Sequence, residues 1–255
     1  MKLTFSDAFT TCKQFEVLRE LIDDAPLHIT HDGLKITALD PGHVAVVIAT
    51  WPKDQFLKYE FDGEDMTLGL KISNLIKILK FAKKGDVLHM DVESGESDAM
   101  TVIVENEERH ATFTMKLVDI TADEMGIPEL EMDACVTIPS AEFQLLVKDL
   151  GTLSDSVTIS TIEGKGVKFE VVGDIGQASI TLHGVEVQKT TEVCLSFAIR
   201  YLASFSKASA IAENVALKLT NEMPLCVEFK GESCLVKYYL APKLDENDAD
   251  DVDMD

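Results

Sequence analysis

Two short stretches hold the residues with the clearest chemical potential. From Ser73 to Lys84 the chain carries Lys77, Lys80, Lys83 and Lys84 and no acid; from Ser196 to Ser209 it carries Arg200 and Lys207 and again no acid. The whole sequence has 45 Asp and Glu against 23 Lys and Arg, a formal net charge of -22, so runs of pure positive charge are the exception. Clustered ammonium and guanidinium groups attract phosphate oxygens without reading base edges, and their field acts locally, over a Debye length of ~8–10 Å. Two further stretches mix signs: Lys13 and Arg19 stand near Glu16 and Glu20, and Lys148 precedes Asp149. No aromatic residues interleave with these cations in a stacking pattern, so contact with the phosphate backbone is the chemistry expected. One lysine-bearing helix by itself is an ordinary solvated face; four in equivalent places of a repeat are a basic surface on an acidic body.

Other chemistries lack a constellation in the sequence. His28 and His31, three apart on an expected strand, point to opposite faces and make a poor metal pair. There is no Gly-rich phosphate loop, no G-x-S-x-G elbow and no H-E-x-x-H. Glu105, Glu107 and Glu108 interrupt the strands at an expected loop and read as solubility features, not paired catalytic carboxylates. The five cysteines, Cys12, Cys135, Cys194, Cys226 and Cys234, are odd in number and without a C-x-x-C pair, which reads as reduced thiols. No catalytic residue, cofactor or metal ligand is assigned, and a non-enzymatic role is expected.

The elements that must position the cations say similar things twice. Leu68, Leu70, Ile72, Leu75, Ile78 and Lys80 are echoed by Leu195, Phe197, Ile199, Leu202, Phe205 and Lys207, all at an offset of 127. Alternation at period 2 followed by helical spacing makes this a strand running into a helix, present in both halves. Gly33-Leu34-Lys35-Ile36 is likewise echoed by Gly166-Val167-Lys168-Phe169 at an offset of 133. Apolar spacing predicts a helix from Ala8 to Asp23, capped by Ser6 or Asp7, with Phe9, Phe15, Leu18, Leu21 and Ile22 inward. A second helix is predicted from Ser73, its cap, to Lys83, and a third that Pro139-Ser140-Ala141-Glu142 starts and that runs to about Gly151, with Phe143, Leu146, Val147 and Leu150 inward. Short strands separated by Asp32-Gly33, Pro41-Gly42 and Asp62-Gly63 fill the rest, Asp32-Gly33 as a hairpin.

Between the halves, Met125-Gly126-Ile127-Pro128-Glu129-Leu130-Glu131-Met132-Asp133 resists regular structure and reads as an extended connector. The predicted organisation is a first domain over 1–117, a connector over 118–133, a second domain over 134–243, and an acidic, disordered tail over 244–255 with seven acids and no base. With 46% apolar residues each half can build a core, no apolar run approaches a membrane span, and the start lacks the pattern of a secretory signal. A soluble intracellular protein is expected, with no import signal evident and no membrane partner.

The ordered motifs resemble a known family. Leu235-Val236-Lys237-Tyr238-Tyr239-Leu240-Ala241-Pro242-Lys243 is similar to the ending of the proliferating cell nuclear antigen family of eukaryotic-type DNA sliding clamps. Leu39-Asp40-Pro41-Gly42-His43-Val44, Lys77-Ile78-Leu79-Lys80, Met115-Lys116-Leu117, Gly126-Ile127-Pro128-Glu129, Pro139-Ser140-Ala141-Glu142-Phe143 and Arg200-Tyr201-Leu202 resemble it in the same order, up to about Lys243. The resemblance implies an α+β DNA-clamp fold: two duplicated domains, antiparallel sheets outside, four helices lining one face, assembling as a homotrimer into a ring. It implies a nuclear protein that encircles duplex DNA as a processivity factor in replication and repair, touching the backbone only.

By resemblance, Lys13, Arg19, Lys77, Lys80, Arg109, Lys148, Arg200 and Lys207 face the DNA. Leu145 and Cys12 stand where the family commonly has bases. Subunits would join through the edges Arg109–Leu117 and Ile175–Leu182, with Arg109, His110, Phe113 and Met115 on one side and Ile175, Ala178, Ile180 and Leu182 on the other. DNA polymerase, the clamp loader, flap endonuclease and DNA ligase would insert a short motif against Leu39, His43, Val44, Val46, Met125, Gly126, Ile127, Pro224, Tyr239, Leu240, Ala241 and Pro242. A subunit of a heteromeric, checkpoint-type clamp and an acidic chaperone or scaffold remain as alternatives.

Overall fold

The computed structural model describes residues 1–61, 63–93, 97–120, 133–162, 166–183, 186–190, 192–221 and 223–243, of which 186–190 by backbone alone. Most of the expected connector, including Met125, Gly126 and Ile127, and the expected tail lie outside the described residues. The chain divides into two compact units, one of Met1–Pro128, Ala210–Ala212 and Phe229–Lys237, the other of Glu129–Ser209, Glu213–Glu228 and Tyr238–Asp255.

The element order repeats. The first half runs β1 (Lys2–Phe5), α1 (Ala8–Arg19), β2 (Asp24–Thr30), β3 (Gly33–Leu39), β4 (Ala45–Pro52), β5 (Lys58–Glu60), β6 (Met66–Lys71), α2 (Ile72–Leu79), β7 (Val87–Asp91), β8 (Ala99–Glu105) and β9 (His110–Lys116). The second runs β10 (Ala134–Pro139), α3 (Ser140–Leu150), β11 (Ser156–Ile162), β12 (Gly166–Gly173), β13 (Gly176–Leu182), β14 (Glu186–Thr190), β15 (Cys194–Ala198), α4 (Ile199–Phe205), β16 (Asn214–Leu219), β17 (Leu225–Lys230) and β18 (Leu235–Leu240). Strand β14 has no counterpart among the sequence expectations.

In unit 1 a five-stranded sheet has the order β5-β1-β7-β8-β9, and a second run is ordered β6-β2-β3-β4. In unit 2 the order β13-β12-β11-β15 mirrors that second run, and β14-β10-β16-β17 mirrors the first. Every pairing with a recorded register is antiparallel. The Asp32-Gly33 hairpin forms as expected, with Thr30 opposite Gly33. Strand β4 takes β18 as its other neighbour, and Leu235–Lys237 of β18 belong to unit 1. Among the described residues no strand pairs with the outer edge of β9 or of β13.

The core follows the alternation. Strands β8 and β11 bury every second side chain, as half-buried antiparallel strands do. In unit 1 the buried Phe15 and Trp51 stack at 5.3 Å, and the Trp51 indole N–H donates to Gln14 Oε1 at 2.8 Å. In unit 2 Phe205 stacks on Tyr238 at 4.4 Å, both fully enclosed. Burial of each such side chain is worth ~1.5–3 kcal/mol.

The inward face of α1 differs from the expectation. It buries Ala8, Thr11, Cys12, Gln14, Phe15, Val17 and Leu18, while Phe9 is 41% exposed. The buried polar members are satisfied: Thr11 Oγ1 donates to the Asp7 carbonyl at 2.8 Å, and Gln14 links Trp51 to Ser233. Both first-half helices also end early. Helix α1 stops at Arg19, and Asp23 beyond it accepts the Ser73 N–H at 2.8 Å, so Ser73 is capped by Asp23 instead of being the cap itself.

Candidate nucleic-acid interface

Two helix pairs carry the cations, and reciprocal backbone tethers set them in place. In unit 1 the Ala8 N–H that opens α1 donates to the carbonyl of Asp86, after α2, at 2.8 Å. The Ile72 N–H that opens α2 donates to the carbonyl of Asp23, after α1, at 2.7 Å. Unit 2 repeats both: Ser140 N–H to Glu213 at 2.8 Å, and Ile199 N–H to Asp155 at 2.9 Å. Each helix start, with its unsatisfied donors, is thus tied to the chain that follows the other helix.

On the first pair Lys77 and Lys80 are exposed and Lys13 is half-buried, its ammonium 4.8 Å from the Phe9 ring centre. Arg19 pairs with Asp23 at 3.4 Å, one turn on, and Lys80 reaches across to Glu16 of α1 at 3.6 Å. Burial, and then Glu16, push the Cys12 thiol up to about 11 while Lys80 pulls it back, which marks Cys12 as an unreactive neighbour of that pair. Asp23 is raised by burial, but the hydrogen bonds from Ser73 and Lys71 outweigh this and hold its carboxyl below the usual range.

On the second pair Lys148, Arg200 and Lys207 are exposed, Arg200 lying 5.1 Å over the Tyr201 ring. Leu145 on the same helix as Lys148 is 60% exposed. Among the described residues Lys77, Lys148, Arg200 and Lys207 make no ion pair.

Arg109 is placed differently. It sits in the β8–β9 turn, where its guanidinium donates to the Phe81 carbonyl and lies 3.8 Å from the buried Asp86 carboxylate. Both contacts engage the same terminal nitrogen, Nη2, while the Arg109 Nε is buried without a hydrogen-bond partner among the described residues. Asp86 also accepts the Lys83 N–H at 2.9 Å and Asn106 Nδ2 at 2.6 Å, and these donors hold its carboxyl below the usual range. Glu105 is a correction to the sequence reading: it accepts from His89 Nε2 at 2.9 Å and from His110 Nδ1, so it cross-links β7, β8 and β9. Strand register, invisible in a local count of acids, brings those three side chains together.

The remaining candidates fall into separate groups. In unit 1, Leu39 and Val46 are ladder partners on the half-exposed face of β3 and β4, with Val44 beside them. The hairpin between is fixed by Asp40, whose carboxylate accepts the N–H groups of Gly42, Val44 and Ala45 at 2.7–2.8 Å, and His43 projects from it at φ 57. In unit 2, Ala241 is exposed and Pro224, Tyr239 and Pro242 are half-exposed, whereas Leu240 is 0% exposed because strand alternation turns it inward. On β9, His110 is exposed and Phe113 half-buried against Phe81 at 5.3 Å, while Met115 points into the core. On the other open edge Ile175 is exposed and Ala178, Ile180 and Leu182 are half-exposed. Sequence reasoning did not find Glu16 as the partner of Lys80, since spacing along one helix says nothing about a neighbour on another. Among the described residues no group of His, Cys, Asp and Glu could hold a metal ion, and no helix is long and apolar enough to cross a membrane.

Comparison with known proteins agrees with this duplicated architecture. The family model for the proliferating cell nuclear antigen N-terminal domain matches residues 1–125, and that for the C-terminal domain matches residues 126–244. The proliferating cell nuclear antigen of Chaetomium thermophilum is 34% identical over 249 residues, 92% of this chain and 95% of the relative. The crystal structure of proliferating cellular nuclear antigen from Entamoeba histolytica superposes with a TM-score of 0.89 at 33% identity, covering 95% of this chain and 98% of that one. With both domain models matched in order along a twice-repeated fold, the chain belongs to the proliferating cell nuclear antigen family.

Proposed function

We propose that this chain assembles with two further copies into a ring that encircles duplex DNA and tethers replication and repair enzymes to it as a processivity factor. The observation that carries the reading is that β9 and β13 each end a sheet, with no further strand beside them among the described residues. Strands β9 and β18 close their respective repeats, and β4 and β13 are likewise counterparts. Setting β9 of one chain against β13 of the next satisfies both of these end strands and uses a different edge on each partner. A head-to-tail joint of this kind closes into a ring when the rotation allows, and the family supports closure at three copies.

Inside such a ring Lys13, Lys77, Lys80, Lys148, Arg200 and Lys207 face the duplex. Arg19, paired with Asp23, and Arg109, occupied by Asp86 and the Phe81 carbonyl, contribute less. Topology keeps the protein on DNA, so weak, sequence-independent phosphate contacts suffice and permit sliding. The β3–β4 hairpin with Leu39, His43, Val44 and Val46, and the end of β18 with Tyr239, Ala241 and Pro242, are read as contacts for short partner motifs of polymerases, the clamp loader, flap endonuclease and ligase. In this reading the role is topological and not catalytic, and membership of the family supports a nuclear location.

Light scattering on the purified protein tests the assembly: a mass three times the 28.1 kDa of one chain supports it, and a monomer that gains mass only with other chains replaces it by the heteromeric alternative. In a primer-extension assay, reversing Lys77 and Lys207 to Glu shortens the products while the assembled mass stays unchanged. Full-length products would remove the DNA-facing assignment.

A further inference from the structure

The two helix pairs place different chemistry at the same point. Glu16 is the ninth residue from the start of α1, and Lys148 is the ninth from the start of α3. Lys80 is the ninth from the start of α2, and Lys207 the ninth from the start of α4. The tethers that fix each pair are the same in both units, Ala8 to Asp86 and Ile72 to Asp23 in one, Ser140 to Glu213 and Ile199 to Asp155 in the other. What the first pair fills with an acid and a base, the second therefore fills with two bases.

In unit 1 that place is closed. Glu16 Oε1 and Lys80 Nζ stand 3.6 Å apart, both side chains substantially exposed, so Glu16 offsets the Lys80 charge and repels a phosphate approaching it. In unit 2 Lys148 and Lys207 are exposed and, among the described residues, without an ion pair; the acids on α3 are Glu142 and Asp149, and α4 with the turn Ser206–Ala210 has none. Two like charges at a site built for a contact pair are a ready seat for a bridging anion.

We infer that the grip on the duplex is divided unequally: Lys148 and Lys207 form a two-cation seat for a backbone phosphate between α3 and α4, while Glu16 competes internally for Lys80 and mutes the equivalent seat between α1 and α2. This rests on the reading of these helices as DNA-facing. The firmer seat then lies in the half whose acid-free stretch has fewer cations, Arg200 and Lys207 against the four lysines of Ser73–Lys84. The consequence for sliding is that phosphates are held firmly at one seat per chain and passed lightly over the other.

The test is the binding of a fluorescently labelled, blunt linear duplex to the assembled protein by anisotropy over a series of salt concentrations. K148Q and K207Q each weaken binding and flatten the salt dependence by about one phosphate contact, and the two losses are not additive, because one phosphate bridges both. K80Q changes little. E16Q tightens binding by about two- to fourfold and steepens the salt dependence, the scale of an exposed ion pair released. In the E16Q background K80Q becomes as costly as K207Q. Equal losses for K80Q and K207Q in the parent, with E16Q neutral, would overturn the inference while leaving the DNA-facing reading intact. Binding unmoved even by K13Q, K77Q, K148Q and K207Q together would instead remove that reading, and this inference with it.

Discussion

The two repeats share a skeleton and differ in how they secure it. Both tie the start of each helix to the carbonyl that follows the other helix, at 2.7–2.9 Å in all four cases. Both also bring the chain back after the last strand against the strand that precedes the second helix: Val118 N–H donates to Gly69 at 3.0 Å, and Lys243 N–H to Ser196 at 2.8 Å. The residues at these points are not alike. Asp86 is buried and engaged through its carboxylate, whereas Glu213 is exposed and has only its carbonyl in use at the tether; where the first repeat has Gly69 the second has Ser196; Asp7 caps α1, whereas Pro139 before α3 has no capping side chain. The backbone repeat is what the fold requires, and side-chain reinforcement has been placed mainly on the first copy.

The sharpest contrast is therefore expected at Asp86 and Glu213. Removing the Asp86 carboxylate takes away acceptors for Lys83 and Asn106 and strands Arg109, and hydrogen bonds to a charged acceptor are the strong kind. D86A should lower stability to urea by about 3 kcal/mol, and E213A by less than about 0.5 kcal/mol. The pH dependence has a definite sign. The donors hold the Asp86 carboxyl below its unfolded value, so its contribution is complete above the unfolded pKa of ~3.9 and fades as pH falls through the folded one. The gap between parent and D86A should be full at neutral pH and close in acid. Equal costs at the two positions would show that the reinforcement is not one-sided.

A second contrast lies at the return of the chain. A Cβ on Gly69 would stand 1.8 Å from the Val118 carbonyl oxygen, a contact that backbone must move to relieve. At the counterpart, Ser196 carries a side chain without difficulty, and its hydroxyl meets Thr158 Oγ1 at 2.7 Å. G69A should cost about 2 kcal/mol and release the Val118 amide to hydrogen exchange, as overpacking does. S196A should cost about 1 kcal/mol, the worth of one hydrogen bond, and leave the Lys243 amide protected. Unchanged exchange at Val118 in G69A would mean the two returns are equivalent after all.

How far the sequence foretold this depends on what each helix buries. The offset of 127 was legible because the strand and helix it joins bury apolar residues at the same steps, and Ile72 and Ile199 do each open a helix. Helices α1 and α3 also correspond, at an offset of 132, since Ala8, Thr11, Gln14, Phe15 and Leu18 are buried where Ser140, Phe143, Leu146, Val147 and Leu150 are. That echo was hidden because Thr11 and Gln14 are polar and owe their burial to Asp7, Trp51 and Ser233, partners no periodicity can show. The same polar positions made Phe9 look inward. The cations were legible as types; Glu16 and Asp86 as partners of Lys80 and Arg109 were not, because those pairings cross between elements far apart in sequence, whereas the Arg19–Asp23 pair is local, four residues on.

The smallest expected effect separates two ways of starting a helix. Asp7 accepts the N–H groups of Phe9 and Thr10 at 2.9 and 3.3 Å and the Thr10 hydroxyl at 2.8 Å, a capping arrangement whose loss in D7A should cost about 1 kcal/mol in thermal or urea unfolding. Pro139 cannot cap in this way, but its ring fixes φ, here -58, and the chain enters α3 directly from β10. P139S restores a capping hydroxyl while freeing φ, two changes of opposite sign, and should shift stability by less than about 0.5 kcal/mol. Were P139S instead to cost as much as D7A, the rigid proline would be the second repeat's own form of reinforcement, and the difference between the copies would be one of means and not of degree.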